Sequence, residues 1–159
     1  MTLLLCYPLR NTMALIEHKR ARFDFEILDT IEAGLVLFGT EVKSLRNGQG
    51  KLEGAHVVVR GGEAFLVGAH IPPFQAKNAP AGYDPERNRR LLVTREQIAE
   101  LSQKSDKQGL TTVPLSVYNK GRNLKLSIGV ARGKKKYDKR EALKARDTKR
   151  SIERKLKEQ

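Results

Sequence analysis

The chain has 159 residues, of which 39% are hydrophobic and 31% charged, a length that suits one domain with an extension rather than two full domains. Its 31 Lys and Arg exceed its 18 Asp and Glu to give a net charge of +13, so the expected large partners are polyanions, with nucleic acid ahead of an anionic membrane. The one cysteine, Cys6, excludes an internal disulfide and fits a reducing, cytoplasmic setting, and no apolar run approaches the ~18 residues that a membrane helix needs.

The first twelve residues, Met1–Thr12, contain three consecutive leucines with no basic segment before them. That run is too short for the core of a signal peptide. Because Met13 follows directly, we expect residues 1–12 to be an N-terminal extension, disordered or outside the working protein. Residues 13–131 are then the predicted folded domain.

The first predicted elements lie between residues 23 and 48. Phe23–Ile27 alternates apolar and polar residues, which is the period of a half-buried strand. An apolar run, Leu35–Phe38, follows a break at Gly34. Glu41–Gly48 predicts a short helix that ends at its glycine.

A hairpin is predicted next, because Ala55–Arg60 and Glu63–Ile71 are rich in strand-forming residues and are joined by Gly61 and Gly62. Two prolines end the second strand. The polar stretch from Lys77 to Arg90 is predicted to be a mobile loop.

The last part of the domain predicts a short strand, a helix and a strand pair. Arg90–Val93 is the strand, and Thr94 with Gln97 predicts a capping box at the start of the helix. Apolar and polar residues alternate along Thr111–Tyr118 and along Leu124–Ala131, as they do in paired strands. Many short strands with few helices predict a mainly β fold, a small closed or partly open antiparallel barrel with short flanking helices.

The chain ends in a basic tail, residues 132–159, which holds 13 Lys and Arg against 5 Asp and Glu, a net of +8 out of +13. Its large aliphatic side chains are Leu143, Ile152 and Leu156, too few to offset the entropy of ordering. We therefore predict a tail that is disordered when free. Pairs four residues apart, such as Glu153 with Lys157, favour a helix once a bound polyanion screens the charge.

Little in the sequence predicts an active site. The histidines are scattered and the single cysteine offers no zinc-site spacing, so neither metal nor cofactor is predicted. A paired acid–base role for Glu32, Glu41 and Asp84 stays open. We favour helix capping for Glu41, a turn at Asp84 and pairing of Glu32 with a nucleobase or a cation.

Four clusters of basic residues remain, and each taken alone is typical of a solvated surface. On one small barrel they favour contacts to RNA phosphates. The clusters are Lys19, Arg20 and Arg22; Lys43 and Arg46; Arg87, Arg89 and Arg90; and the run from Arg132 to Arg140. Unpaired bases need stacking or hydrogen-bonding groups as well, and Tyr118, Asn119, Tyr137 and Arg122 are candidates, whereas Phe74 and Tyr83 fit either stacking platforms or loop anchors.

Five further stretches stand out, in chain order: Lys19–Arg22, Glu32–Arg46, Asp84–Leu92, Val113–Tyr118 and Ile128–Arg140. Together they resemble the SsrA-binding protein (small protein B) family, the bacterial partners of transfer-messenger RNA. The resemblance covers about residues 16–140. Beyond Arg140 the tail resembles the family in its basic, helix-prone character more than in sequence.

The resemblance implies an oligonucleotide-binding-type barrel that binds the tRNA-like domain of transfer-messenger RNA. It implies an adaptor without chemistry of its own, which enters stalled ribosomes at the small-subunit decoding centre and the empty mRNA channel, so that incomplete chains are tagged for proteolysis.

The resemblance also implies roles for individual residues. It maps RNA contacts onto Glu32, Leu92 and Lys125. From the residues alone Lys125 lies on the polar face of its strand, whereas Leu92 is predicted to lie in the core. A ribosome-facing junction maps onto Gly133, Lys134, Lys135, Tyr137, Asp138, Lys139 and Arg140, with Tyr137 placed to stack on a base.

Two other classes of function stay open from sequence. A structural ribosomal or general single-strand-binding protein fits the charge and the barrel but leaves the five stretches unexplained. A nuclease built on the barrel would use Glu32, Glu41 or Asp84 to hold metal, and this is the weakest of the three hypotheses.

Overall fold

The computed structural model describes residues 13–107 and 109–157. The strands are β1 (Ala14–Glu17), β2 (Phe25–Leu35), β3 (His56–Arg60), β4 (Glu63–Val67), β5 (Arg89–Leu92), β6 (Leu110–Lys120) and β7 (Asn123–Gly133). The helices are α1 (Ala21–Asp24), α2 (Gly39–Arg46), α3 (Arg95–Ser105) and α4 (Lys136–Lys157), with one 3-10 turn at Ala76–Asn78.

The strands form one antiparallel sheet in the order β1-β6-β7-β2-β5-β4-β3. Within the described residues β1 and β3 are its two edges, so the barrel is open, and the predicted mainly β, partly open barrel is confirmed. The sheet curls until β3 reaches β6, where the buried Thr112 Oγ1 donates to Val57 O at 2.6 Å.

Local sequence signals explain the turns and helix starts. Gly61 and Gly62 have φ of 58° and 75°, as a two-residue hairpin turn between β3 and β4 requires. Thr94 and Gln97 form the predicted capping box of α3, each side chain bonding the other's backbone N–H at 3.2 and 3.0 Å.

The core lies inside the curled sheet, under α2 and α3. Alternate residues of β7, Leu126, Ile128 and Val130, are buried there against side chains from the helices and from β4, among them Leu45, Leu66 and Leu101. On the opposite face of β7, Lys125 and Ser127 are only partly buried.

Three features differ from the sequence predictions. β1 and α1 were not predicted, because four-residue elements carry too little periodicity. β7 runs to Gly133, two residues past the predicted domain boundary. The predicted loop between Lys77 and Arg90 is tied to α2, because Arg87 hydrogen-bonds Glu41.

The tail, which was predicted to be disordered when free and helical when bound, forms the 22-residue helix α4. Asp138 lies in its first turn and accepts from the backbone N–H of Lys135 at 3.2 Å. This contact satisfies an otherwise unpaired donor and places negative charge at the positive end of the helix. Local capping therefore supports the first turn of the helix.

Candidate nucleic-acid interface

A row of outward-facing residues crosses four adjacent strands. Tyr118 on β6 pairs with Lys125 on β7, Lys125 pairs with Gly34 on β2, and Gly34 pairs with Leu92 on β5. Residues directly opposite in an antiparallel pair share a face. The register therefore brings together side chains that lie far apart in sequence.

Leu92 is an exposed leucine, contrary to the prediction that it belongs to the core. Its residue is 56% exposed, whereas its neighbour Leu91 is 3% exposed and lies inside. Gly34 leaves the space that Leu92 occupies, because a Cβ added at Gly34 would lie 3.0 Å from the Leu92 Cβ. The leucine is thus seated on a glycine and presents its apolar side chain to solvent.

Glu32 lies two residues before Gly34 on β2, and its carboxylate is held by two donors. Lys120 Nζ donates to Oε1 at 2.8 Å and the Tyr118 hydroxyl donates to Oε2. The hydrogen bonds from Lys120 and Tyr118, with the charges of Lys120 and Lys125, hold the pKa of Glu32 below its ordinary value despite partial burial. The carboxylate is therefore ionised at neutral pH and fixed in orientation.

Tyr118 is committed to this contact. Burial is the largest cause that raises the pKa of the Tyr118 phenol, and the hydrogen bond to Glu32 and the charge of Glu32 raise it further. It is consequently a neutral donor at any physiological pH, and its hydroxyl orients Glu32.

Three of these residues, Glu32, Leu92 and Lys125, border one surface depression of ≈ 340 Å³. Glu32 and Lys125 line it together with the apolar side chains of Leu92 on β5, Val93 in the connection that follows, and Ile98 on α3. Arg90 also lines it and forms an exposed ion pair with Glu63 at 2.7 Å. The depression thus combines one acceptor, an apolar wall and cations, which suits an unpaired nucleotide.

Arg89 requires a correction to the predicted set of RNA contacts. Its side chain is fully buried and binds Glu41 Oε1 through Nε at 3.0 Å and the carbonyl of Ala69 at 2.8 Å. A guanidinium enclosed in this way is not a surface cation. It neutralises the equally buried Glu41.

Glu41 is the centre of a buried polar cluster. Besides its bonds to the arginines, it accepts from the Phe38 backbone N–H at 2.8 Å, which is the predicted helix-capping role, and from the Tyr83 hydroxyl at 3.0 Å. Burial opposes its ionisation, but the Arg87 and Phe38 hydrogen bonds and both arginine charges outweigh burial and hold the pKa of Glu41 below normal. Tyr83 is therefore a loop anchor, and Arg87 is both an anchor and a partly exposed cation that stacks 4.1 Å from the Phe38 ring centroid.

The first basic cluster meets the start of the tail. Lys134 donates from its backbone N to Asp24 O and from Nζ to Arg22 O, both at 2.9 Å. Lys139 Nζ binds Asp24 Oδ1 at 3.0 Å. Lys19, Arg20 and Arg22 are exposed beside this junction, so the structure unites two clusters that lie more than 100 residues apart in the chain.

The remaining predicted residues lie elsewhere. Arg46 is exposed at the end of α2 and donates to the Arg122 carbonyl at 3.2 Å, and Lys43 is exposed on the same helix. Asn119 is half-buried with its Oδ1 enclosed and unpaired among the described residues. The side chain of Tyr137 lies outside the described residues, as does the extension 1–12.

Comparison with known proteins identifies the family. The sequence model of the SmpB protein matches residues 15–158. An SsrA-binding protein of Thermosynechococcus vestitus is 47% identical over 144 residues, covering 91% of this chain and 95% of that protein. One of Enterococcus hirae is 47% identical over 150 residues, covering 94% and 97%. The chain belongs to the SmpB family.

A solved structure supports the fold of this SmpB-family chain. It comes from work on tmRNA-SmpB at the center of the bacterial ribosome, is 42% identical, and superposes with a TM-score of 0.65 over 80% of this chain and 92% of that chain. The family resemblance predicted from the five stretches is therefore confirmed.

Two partners in the SmpB-family site were missed by sequence reasoning. Lys120 was not chosen because it lies outside the four basic clusters, yet it is the cation that holds Glu32. Gly34 was read as a break, whereas it seats Leu92. Within residues 13–107 and 109–157 no group of three or more potential metal ligands occurs and no helix is long and apolar enough to cross a bilayer.

Proposed function

We propose that this chain is an RNA-binding adaptor that binds the tRNA-like domain of transfer-messenger RNA and accompanies it to stalled ribosomes in the cytoplasm. There it enables trans-translation, so that incomplete peptides are tagged for proteolysis and the ribosome is released. In this role the protein performs no catalysis and needs no cofactor. The RNA and the ribosome carry out the chemistry of tagging.

One observation carries the proposal, namely that the register of four strands places Leu92 and Lys125 on one outward row with Glu32 beside them. Leu92 presents an apolar side chain that is 56% exposed, and it lies among groups that suit a base and its phosphate. Named relatives at 47% identity are SsrA-binding proteins, which fixes the RNA partner that we propose.

The tail completes the proposal. Helix α4 has 22 residues and is therefore roughly 33 Å long at 1.5 Å per residue. Its start contacts the barrel through Lys134 and Lys139, which hold the junction beside α1. We propose that the junction faces the decoding centre and that α4 lies in the mRNA channel when it holds no message.

Binding to RNA tests the proposal through two matched variants. Leu92→Ala should weaken binding to the tRNA-like domain roughly tenfold or more, since burying a leucine side chain is worth about 1.5–3 kcal/mol, while the free energy of unfolding changes by less than about 0.5 kcal/mol. Leu91→Ala removes the same atoms from the core and should instead cost about 2–5 kcal/mol of stability. Fluorescence titration and chemical denaturation measure both quantities.

Selectivity is the control in the same titration. The parent chain should prefer the tRNA-like domain over an unrelated hairpin of equal length at moderate salt, and its affinity should fall as salt rises because phosphate contacts release counterions. Equal affinity for the two RNAs would contradict the proposal and favour a general RNA-binding protein. Unchanged binding by Leu92→Ala would show that the row on β6, β7, β2 and β5 is not the interface.

A further inference from the structure

The hydrogen bonds of Glu32 leave its carboxylate with defined free capacity. An ionised carboxylate has about four acceptor positions on its two oxygens. Lys120 takes one on Oε1 and Tyr118 takes one on Oε2. One acceptor position therefore remains on each oxygen of Glu32, at the border of the depression.

The remaining groups of the depression surround that acceptor. Leu92, Val93 and Ile98 supply an apolar wall, and Lys125 supplies a cation on the strand paired with β2. The two cap residues of α3 that line it, Thr94 and Gln97, already bond each other. Two acidic residues, Glu32 and Glu63, are among the described residues that line the depression. Glu63 pairs with Arg90, so Glu32 is the carboxylate of the two without an arginine partner.

We infer that this depression selects an unpaired guanine, whose Watson–Crick edge donates N1–H and N2–H to the two oxygens of Glu32 while its face lies against Leu92. The inference rests on the proposed function, and it names the base that the site reads. Lys125 is then placed for the phosphate of the same nucleotide.

The chemistry of the four bases leads to guanine. A bidentate carboxylate needs two adjacent N–H donors, in the manner of its pairing with arginine. Guanine presents two such donors on its Watson–Crick edge, whereas adenine and cytosine each place a bare ring nitrogen beside one amino group. Uracil places carbonyl oxygens on both sides of its N3–H. For these three bases the carboxylate would face an unpaired acceptor, which costs affinity.

Tyr118 and Lys120 are positioning residues in this account. They fix the plane of the carboxylate without contact to the base, so Tyr118→Phe should reduce discrimination between guanine and other bases more than it reduces overall affinity. Glu32→Gln replaces one acceptor by a donor and should reduce discrimination against adenine, because an amide pairs with one donor and one acceptor.

The test is an atom-by-atom scan of the RNA. Each unpaired guanosine of the tRNA-like domain is replaced singly by inosine, which lacks the N2 amino group, and by 7-deazaguanosine, which keeps both donors. At one position inosine should weaken binding about tenfold, as expected for one charge-assisted hydrogen bond, while 7-deazaguanosine at that position should bind as the parent does. In the Glu32→Ala protein the same inosine should have no further effect.

The controls separate the possible failures. Glu96→Gln on α3 changes the net charge equally at an exposed residue outside the depression, and it should keep the full inosine effect. If the parent RNA binds selectively but no inosine matters, or the inosine effect persists in Glu32→Ala, the guanine assignment is overturned. If the parent RNA shows no selectivity, the proposed function itself fails, and the inference fails with it.

Discussion

Deleting residues 142–159 should leave binding to the tRNA-like domain nearly unchanged and abolish tagging of peptides on stalled ribosomes. The deletion keeps the barrel, the depression and the junction at Lys134 and Lys139. It removes most of α4, with seven Lys and Arg against three Asp and Glu. Binding by titration and tagging in a reconstituted translation reaction measure the two activities separately.

A point variant distinguishes the contribution of the helical structure of α4 to tagging from the contribution of its charge. Ile152→Pro keeps every charged residue of α4 but interrupts the helix, at a cost of about 3 kcal/mol. We expect tagging to fall strongly with RNA binding unaffected. Loss of RNA binding in the deletion would contradict the division between barrel and tail. Normal tagging by Ile152→Pro would show that charge suffices and that the helical form of α4 is not required.

Glu41→Gln should destabilise the barrel by about 3–5 kcal/mol, because it leaves buried cationic partners without their counter-charge. Arg89 and Glu41 both have side chains with 0% exposure, and Arg87 is 24% exposed. Chemical denaturation at neutral pH measures the loss. The matched control is Glu63→Gln, whose pair with Arg90 is exposed on both sides and contributes at most about 1 kcal/mol.

The same cluster predicts how stability depends on pH. The pKa of Glu41 is lower in the folded chain than its ordinary value of 4.5, so the unfolded chain binds a proton at a higher pH than the folded chain does. The stabilisation is then fully present above pH 4.5 and is lost as pH falls through the folded pKa. Denaturation from pH 7 to below 4.5 should show this loss in the parent. A Glu41→Gln chain with the same acid dependence would contradict this role.

Much of the sheet could be predicted from the sequence because its strands and turns have strong local signals. The Gly61–Gly62 turn, the Thr94–Gln97 capping box and the alternation of β6 and β7 each depend on residues that are close in the chain. β1 is only four residues long and had no such signal. Its place depends on pairing with β6, about 100 residues away, which no local pattern encodes.

The site was predictable in part of its membership, since Lys120 and Gly34 were missed, and less so in the roles of its residues. Charge pattern and resemblance selected Glu32 and Lys125, and the structure places them together. Arg89 and Leu91 lie on one face of β5 and Arg90 and Leu92 on the other, and period-two alternation alone does not say which face is buried. The curled sheet buries Leu91 and Arg89 and exposes Leu92 and Arg90. A buried arginine is uncommon unless it is paired, and the pairing with Glu41 spans 48 residues.

The RNA that stays bound when the full chain is purified from bacterial cells tests the central claim most directly. The bound RNA is recovered after a wash at moderate salt and sequenced, with Leu92→Ala purified in parallel. We expect transfer-messenger RNA to dominate the parent sample and to be depleted from the variant. A mixture of ribosomal and messenger fragments in both samples would contradict the assignment of this surface to transfer-messenger RNA.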